Sequence, residues 1–284
     1  MRILAAIART LPASLVFGLA RPMGWIGFSV NRFSRTRAIN NVRTCFPQES
    51  QRRQREIAVK GFQHMTLVAL DLLRAPQKNS EALHRINIRN KHYVTDVVKD
   101  GRGVVIISAH FGNIGVLPAA FDGVSEHPAY IMRRPTRRVS CIITRARAYR
   151  DRYLKPRITF ESIDSSKAGA LRLAHLLKQG NVVIVLADLT WGSGGVLVEL
   201  FGMPYEMSRF PATLAIKHGA SLIPVMTVRN PDGTYEVVVG PPIEKPETVD
   251  TAKYIMTSEF ARILEPYIRR SPEQWCWTHQ QNWS

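Results

Sequence analysis

A histidine follows a short apolar run at the point where a buried strand would end. Residues 104–107 are all Val or Ile, a pattern typical of a strand buried on both faces, and two small residues lead from them into His110. In open α/β sheets, ligands bind in the crevice at the carboxyl ends of the strands. His110 is therefore a candidate active-site residue. A histidine that only caps the strand by hydrogen bonding would have the same place in the sequence.

A second apolar run ends in a carboxylate. Residues 182–187 are Val-Val-Ile-Val-Leu-Ala, and Asp188 follows them directly. The uninterrupted run again predicts a fully buried strand. Two buried strands therefore end in titratable side chains.

The patterns around these strands alternate between helix and strand. Apolar residues recur at helical spacing over residues 49–75, and Pro76 lies just beyond the predicted end. We predict further helices over residues 90–101, 136–153, 167–179, 210–218 and 251–268, and further strands over residues 129–132, 157–161, 222–228 and 235–239. Repeated strand-helix-strand units predict an α/β fold with a mainly parallel central sheet flanked by helices.

The chain is strongly basic. Its 284 residues include 39 Lys plus Arg against 22 Asp plus Glu, a formal charge of +17. Such a field favours anionic partners: nucleic acid, anionic lipid headgroups or an acidic carrier protein. The basic residues are scattered, without a zinc-finger or RNA-binding aromatic signature, so we expect no nucleic-acid partner.

The cysteines and glycines point away from cofactors. Cys45, Cys141 and Cys276 are far apart and odd in number, which predicts neither a disulfide framework nor a metal knuckle and suits a reducing compartment. Neither common type of Gly-rich phosphate loop is found in the sequence. We therefore expect no metal and no cofactor.

The N-terminus is apolar but interrupted. Residues 3–20 and 23–30 form two apolar pieces separated by Arg21-Pro22, and neither is a clean run of the length that spans a bilayer. Arginines follow at positions 32, 35 and 37, where they would meet anionic headgroups. We predict a membrane-associated helical segment over residues 1–30 and one α/β domain over residues 31–284. The alternative is an ordinary helical hairpin packed on the core.

Five short segments, in order along the chain, resemble one protein family. They are Asn41-Val42 with Cys45-Phe46-Pro47, Ser108-Ala109-His110-Phe111-Gly112-Asn113, Met132-Arg133-Arg134-Pro135, Gly195-Val196 through Phe201-Gly202-Met203-Pro204, and Ser271-Pro272-Glu273-Gln274-Trp275-Cys276-Trp277-Thr278-His279. Together they are similar to the motifs of the bacterial lipid A lauroyl and myristoyl acyltransferases, a branch of the lysophospholipid acyltransferase superfamily.

The resemblance implies transfer of a fatty acyl chain from an acyl-carrier-protein or coenzyme A thioester to a hydroxyl on a membrane-associated, lipid-like acceptor. A hydroxyl is a poor nucleophile at neutral pH, so a general base must take its proton as it attacks the thioester carbonyl. In the family motif His110 matches that base. An Asp or Glu five positions later would orient the imidazole, and here Gly115 occupies that position.

Three hypotheses account for Gly115. In the first, another carboxylate reaches His110 from a different loop; Asp188 is the first candidate, with Asp122 and Glu126 behind it. In the second, the acceptor is an amine, which needs less help from a base. In the third, the chain is a catalytically degenerate member, an interaction protein that binds lipid or a carrier protein without turnover.

Four further residues are candidates for substrate binding. Arg147 matches an arginine that the family places near the acyl donor or the developing oxyanion, and Arg134 is similar; either could instead be a solvated arginine. Asn113 and the backbone amides around Gly112 could donate to an oxyanion, although Gly112 could also serve only a tight turn. The family resemblance further implies a location at the cytoplasmic face of the bacterial inner membrane.

Overall fold

The computed structural model describes residues 12–74, 86–125, 129–133, 162–164, 167–190, 194–279 and 283. The chain forms two compact units. The helical unit holds the described residues before position 85 and residues 268–279. The sheet unit holds the described residues from 86 to 267 together with residue 283. The predicted boundary at residue 30 stays a prediction.

Within its described residues, the helical unit contains three helices and a short 3₁₀ turn. They are α1 (Ala13–Val30), α2 (Arg32–Cys45), α3 (Gln51–Arg74) and the 3₁₀ turn Pro272–Gln274. Asn31 separates α1 from α2, and its side chain accepts a hydrogen bond from the Ser34 backbone amide at 3.0 Å, which caps α2.

Helix α1 runs without a break through Pro22, where the sequence suggests two separate pieces. Proline lacks the amide that would bond to the carbonyl four residues earlier, at Gly18. Both residues are exposed, so water can satisfy that carbonyl and the helix continues. Among the helices of the described residues, none has both the length and the hydropathy needed to cross a membrane.

Two of the family-like segments pack on each other in the helical unit. The Asn41 side-chain amide donates to the carbonyls of Trp277, at 2.8 Å, and His279, at 3.1 Å. Trp275 and Trp277 are buried, and the Trp277 indole donates to the Pro272 carbonyl at 2.6 Å. These aromatic residues have a packing role.

The sheet unit is an α/β structure, and its described residues include a mixed, mostly parallel sheet of seven strands in the order β1-β9-β8-β2-β5-β3-β4. The strands are β1 (Ile86–Arg89), β2 (Val104–Ser108), β3 (Tyr130–Arg133), β4 (Ser162–Asp164), β5 (Val182–Leu186), β8 (Ser221–Arg229) and β9 (Tyr235–Val239). All neighbouring pairs are parallel except β8 with β9. The predicted α/β class with a mainly parallel sheet is confirmed. The predicted helix over 136–153 and strand over 157–161 lie outside the described residues.

Among the described residues, four helices of the sheet unit begin and end within two residues of their predicted bounds. They are α4 (His92–Lys99), α6 (Lys167–Lys178), α7 (Phe210–His218) and α8 (Val249–Arg270). The short helix α5 (Leu117–Ala120) and a 3₁₀ turn at Ile114–Val116 were not predicted. Helix α7 ends at Gly219, whose φ of +63° suits glycine. Alternate residues of β2, β5, β8 and β9 share a hydrophobic core with α4 and α5. The central strand β2 is buried along its whole length.

A two-stranded hairpin stands apart from the main sheet. It consists of β6 (Gly195–Leu200) and β7 (Met203–Ser208), which pair antiparallel. Phe201 and Gly202 form its turn. Their φ angles are +56° and +74°, and positive φ at both positions is typical of a two-residue type I′ hairpin loop.

Candidate active site

The register of two parallel strands brings His110 and Asp188 side by side. Strand β2 pairs with β5 so that Val104 lies opposite Val182 and Ser108 opposite Leu186. Continued two residues beyond the end of each strand, the same register places His110 beside Asp188. The Ala187 amide donates to the Ser108 carbonyl at 2.8 Å, so the backbone pairing continues one residue past the end of β5.

Both carboxylate oxygens of Asp188 contact His110. Oδ1 lies 2.9 Å from Nδ1 of the imidazole, and Oδ2 accepts the His110 backbone amide at 2.9 Å. The Asp188 side chain is 1% exposed and the His110 side chain 20% exposed. When the carboxylate is ionised it accepts a hydrogen bond from Nδ1–H, which leaves Nε2 as the basic nitrogen of the neutral imidazole. This geometry suits a general base held in one orientation.

A buried tyrosine, which no motif in the sequence marks, holds the backbone of Asp188. The Tyr205 hydroxyl donates to the Asp188 carbonyl, and the tyrosine is fully buried with its ring packed edge-on against Trp283. Close by, the Ser208 amide donates to the Ala187 carbonyl at 2.9 Å. The β6–β7 hairpin therefore supports the loop that carries the carboxylate.

The chain turns sharply after His110, and Gly112 makes the turn possible. Its φ is +61°, and a Cβ atom there would lie 1.9 Å from the Thr227 carbonyl oxygen. The Thr227 hydroxyl donates to the Phe111 carbonyl at 2.9 Å, which fixes β8 to this turn. A glycine is required at position 112 on steric grounds.

Asn113 shapes the next step of the chain. Its side-chain oxygen accepts the Gly115 amide at 3.0 Å, and its amide donates to the Tyr235 hydroxyl at 3.1 Å. The residue is 3% exposed. These contacts order the turn, and the substrate-binding roles of Gly112 and Asn113 stay predictions.

The other candidates fall elsewhere. Gly115, at the position of the motif acid, lies in the 3₁₀ turn Ile114–Val116. Asp122 is exposed after α5. Glu126, Arg134 and Arg147 lie outside the described residues, and their proposed roles stay predictions.

The fold and the paired side chains define an α/β protein with a histidine-carboxylate site at the carboxyl edge of its parallel strands. The chain belongs to the family of bacterial lipid A biosynthesis acyltransferases, whose family model matches residues 1–283. It is also similar to the lipid A biosynthesis lauroyltransferase of Escherichia coli (strain K12), with 24% identity over 279 residues, covering 95% of this chain and 86% of that protein. The family resemblance of the five sequence segments is confirmed, and the family is one of acyltransferases in lipid biosynthesis.

Proposed function

We propose that this protein transfers a fatty acyl chain from an acyl-carrier-protein or coenzyme A thioester to a hydroxyl of a lipid-like acceptor, with His110 as general base and Asp188 as the residue that orients it. One observation carries the proposal: the 2.9 Å contact between His110 Nδ1 and Asp188 Oδ1 at the ends of adjacent parallel strands. It supplies a carboxylate partner for the histidine even though Gly115 replaces the motif acid.

The reaction divides into two proton transfers around one displacement. The acceptor oxygen attacks the thioester carbonyl carbon while Nε2 of His110 takes the hydroxyl proton. Asp188 stabilises the imidazolium that forms. The tetrahedral intermediate then collapses, the carbon-sulfur bond breaks, and the imidazolium returns its proton to the leaving thiolate. The products are an ester and the carrier thiol.

The negative charge on the carbonyl oxygen needs donors in the transition state. We assign this task to the backbone amides around Gly112 and to Asn113, with Arg134 and Arg147 as candidates for donor phosphates or the oxyanion. The support for Gly112 and Asn113 is their place in the turn immediately after His110.

Two alternatives concern the same site. An amine acceptor is a better nucleophile than a hydroxyl, needs less help from a base and would give an amide product. A catalytically degenerate protein that binds lipid or carrier protein is favoured by Gly115 at the motif-acid position. The intact pair of His110 and Asp188 supports turnover over this second alternative.

We further propose that the protein works at the cytoplasmic face of the bacterial inner membrane. Residues 1–30 would be its membrane-associated segment, and an acyl carrier protein or acyl-coenzyme A its donor. The net charge of +17 supports an anionic membrane and an acidic carrier as partners.

The test is acyl transfer by the purified full chain. Acyl-carrier and coenzyme A thioesters are offered with hydroxyl and amine lipid acceptors in detergent, and products are identified by mass. We expect an ester product that is lost in His110→Ala. An amide product would favour the amine alternative, and no product with any donor and acceptor pair, while thioester binding persists, would favour the degenerate one.

A further inference from the structure

Helix α1 carries apolar side chains on the face opposite its packed one. Its packed face places Val16, Ala20 and Phe28 in the buried interior of the helical unit. At spacings of four and seven residues, another set of large apolar side chains follows the other face, between 42% and 76% exposed: Leu15, Leu19, Ile26 and Val30. A helix that is apolar on both faces is typical of burial in protein or in a membrane.

A basic groove lies beside this apolar face, between α1 and α3. It has a volume of about 360 Å³ and is lined by Trp25, Arg52, Arg55, Glu56, Val59, Lys60 and Gln63. The two helices approach closely here, since a Cβ atom at Gly24 would lie 2.5 Å from the Gln63 Cα atom. The close crossing brings Trp25 beside the cationic side chains of α3.

The groove is lined by three basic side chains but only one acidic side chain, Glu56. Glu56 bonds to Arg53 at 3.0 Å and to Lys60 at 2.7 Å, whereas Arg52 and Arg55 have no ion pair among the described residues. The Arg55 guanidinium lies 5.1 Å from the centroid of the buried Phe28 ring, which holds it in place by a cation-π contact. Two guanidinium groups are therefore available for an anion with paired oxygens.

We propose that the α1–α3 groove binds the phosphate of an anionic glycerophospholipid while the exposed apolar face of α1 enters the bilayer beside it. The charge of the groove and the apolar face beside it together indicate which ligand binds there. The arginines suit a phosphate, the aliphatic side chains suit acyl chains, and Trp25, 57% exposed at the border of the two, is a residue type that concentrates at the membrane interface. The inference rests on the proposed membrane location and adds a headgroup site to it.

Vesicle flotation of the full chain tests the groove. We expect binding to vesicles of phosphatidylcholine with phosphatidylglycerol, and a loss of affinity of about 30-fold for the double variant Arg52→Gln with Arg55→Gln, since each basic residue near an anionic surface contributes about fivefold. The matched control is Arg43→Gln with Arg102→Gln, which removes two exposed arginines outside the groove and should change affinity by less than about threefold.

A second variant separates the apolar face from the groove. Leu19→Gln with Ile26→Gln should weaken binding to neutral and anionic vesicles alike, whereas the arginine variant should weaken only the anionic component. Wild-type binding that is unaffected by the arginine variant would overturn the groove. A wild-type dimer in sedimentation that Leu19→Gln with Ile26→Gln dissociates, with vesicle binding unchanged, would show that a second copy covers the face.

Lipid binding by the groove and acyl transfer at His110 can be tested separately. The arginine variant should retain acyl transfer to a detergent-dispersed acceptor, and His110→Ala should retain vesicle binding while losing transfer. A wild-type chain that binds no vesicle would overturn both the groove and the membrane location, yet leave the acyl-transfer proposal to its own assay. Competition by dihexanoyl phosphatidylglycerol but not by inorganic phosphate at the same concentration would identify a lipid as the ligand, and the reverse result would contradict it.

Discussion

His110 and Asp188 are 78 residues apart in the chain and lie at the same level of two neighbouring parallel strands. The carboxylate contacts the histidine twice, through the imidazole and through the backbone amide. The second contact ties the acid to the main chain, so rotation of the histidine side chain alone does not release it. Asp188 is therefore built into the turn as well as paired with the imidazole.

Asp188→Asn should lower the turnover number strongly and leave thioester binding intact. An amide in place of the carboxylate cannot stabilise the imidazolium and can favour the wrong tautomer, and in the serine-protease triad the same substitution lowers kcat by about 10⁴. The measurement is kcat and KM with a thioester donor, alongside direct thioester binding.

Asp122→Asn is the matched control for this prediction, since Asp122 is an exposed aspartate of the same unit. It should leave kcat within about twofold of wild type, as surface substitutions away from a site usually do. Near-normal turnover in Asp188→Asn would contradict the proposed role of the acid.

Tyr205→Phe should lower kcat and stability modestly. The substitution keeps the ring against Trp283 but removes the hydroxyl that donates to the Asp188 carbonyl. A hydrogen bond of this kind contributes about 1 kcal/mol to the free energy of unfolding, and loosening the acid by the same amount would lower kcat about fivefold. Urea unfolding and kcat are the measurements, with the exposed Tyr254→Phe as control. Equal effects in the two variants would mean that Tyr205 does not position Asp188.

Gly112→Ala should destabilise the protein by more than about 3 kcal/mol. The new methyl group would overlap the Thr227 carbonyl oxygen, and the alanine backbone would have to keep a positive φ. Gly219→Ala isolates the second effect. Its φ of +63° is nearly the same as that of Gly112, but no atom lies within 4 Å of the added Cβ, so we expect a cost of only about 1 to 2 kcal/mol. Denaturant unfolding of both variants checks this, and equal losses would contradict the steric account of Gly112.

Local patterns in the sequence predict several elements closely. The helix over residues 210–218 and the strand over residues 235–239 have the predicted bounds, because Gly219 and the Asn230-Pro231-Asp232-Gly233 turn mark their ends chemically. The His110-Asp188 contact is not contained in such patterns. It depends on β2 lying next to β5, a neighbour relation across the sheet that runs of Val and Ile do not specify.

The β6–β7 hairpin was not predicted from the sequence, for a different reason. Its segment resembles a family loop, but its buried residues Val198, Leu200, Tyr205 and Met207 also alternate with other residues on both sides of Phe201-Gly202. Alternating apolar residues about a Gly-containing turn predict a hairpin. The position of the Tyr205 hydroxyl still required tertiary structure, because the hydroxyl bonds to a carbonyl on a different element.

Glu56→Gln should strengthen binding to vesicles that contain phosphatidylglycerol, because the substitution removes the carboxylate of the α1–α3 groove and releases Lys60 and Arg53. Hydrogen bonds from Lys60, and then from Arg53, lower the pKa of Glu56 below its usual value. The carboxylate therefore stays ionised under mildly acidic conditions, and the gain in affinity should be the same at about pH 5.5 as at neutral pH.

Glu259→Gln provides the control for this last prediction. Glu259 bonds to Arg262 outside the groove, and that arginine likewise lowers the pKa of Glu259, so the substitution makes the same charge change at a different place. If both variants bind anionic vesicles equally tightly, the gain reflects net charge alone. A gain confined to Glu56→Gln assigns it to the groove, since the two proteins differ only in which arginine-paired carboxylate has been neutralised.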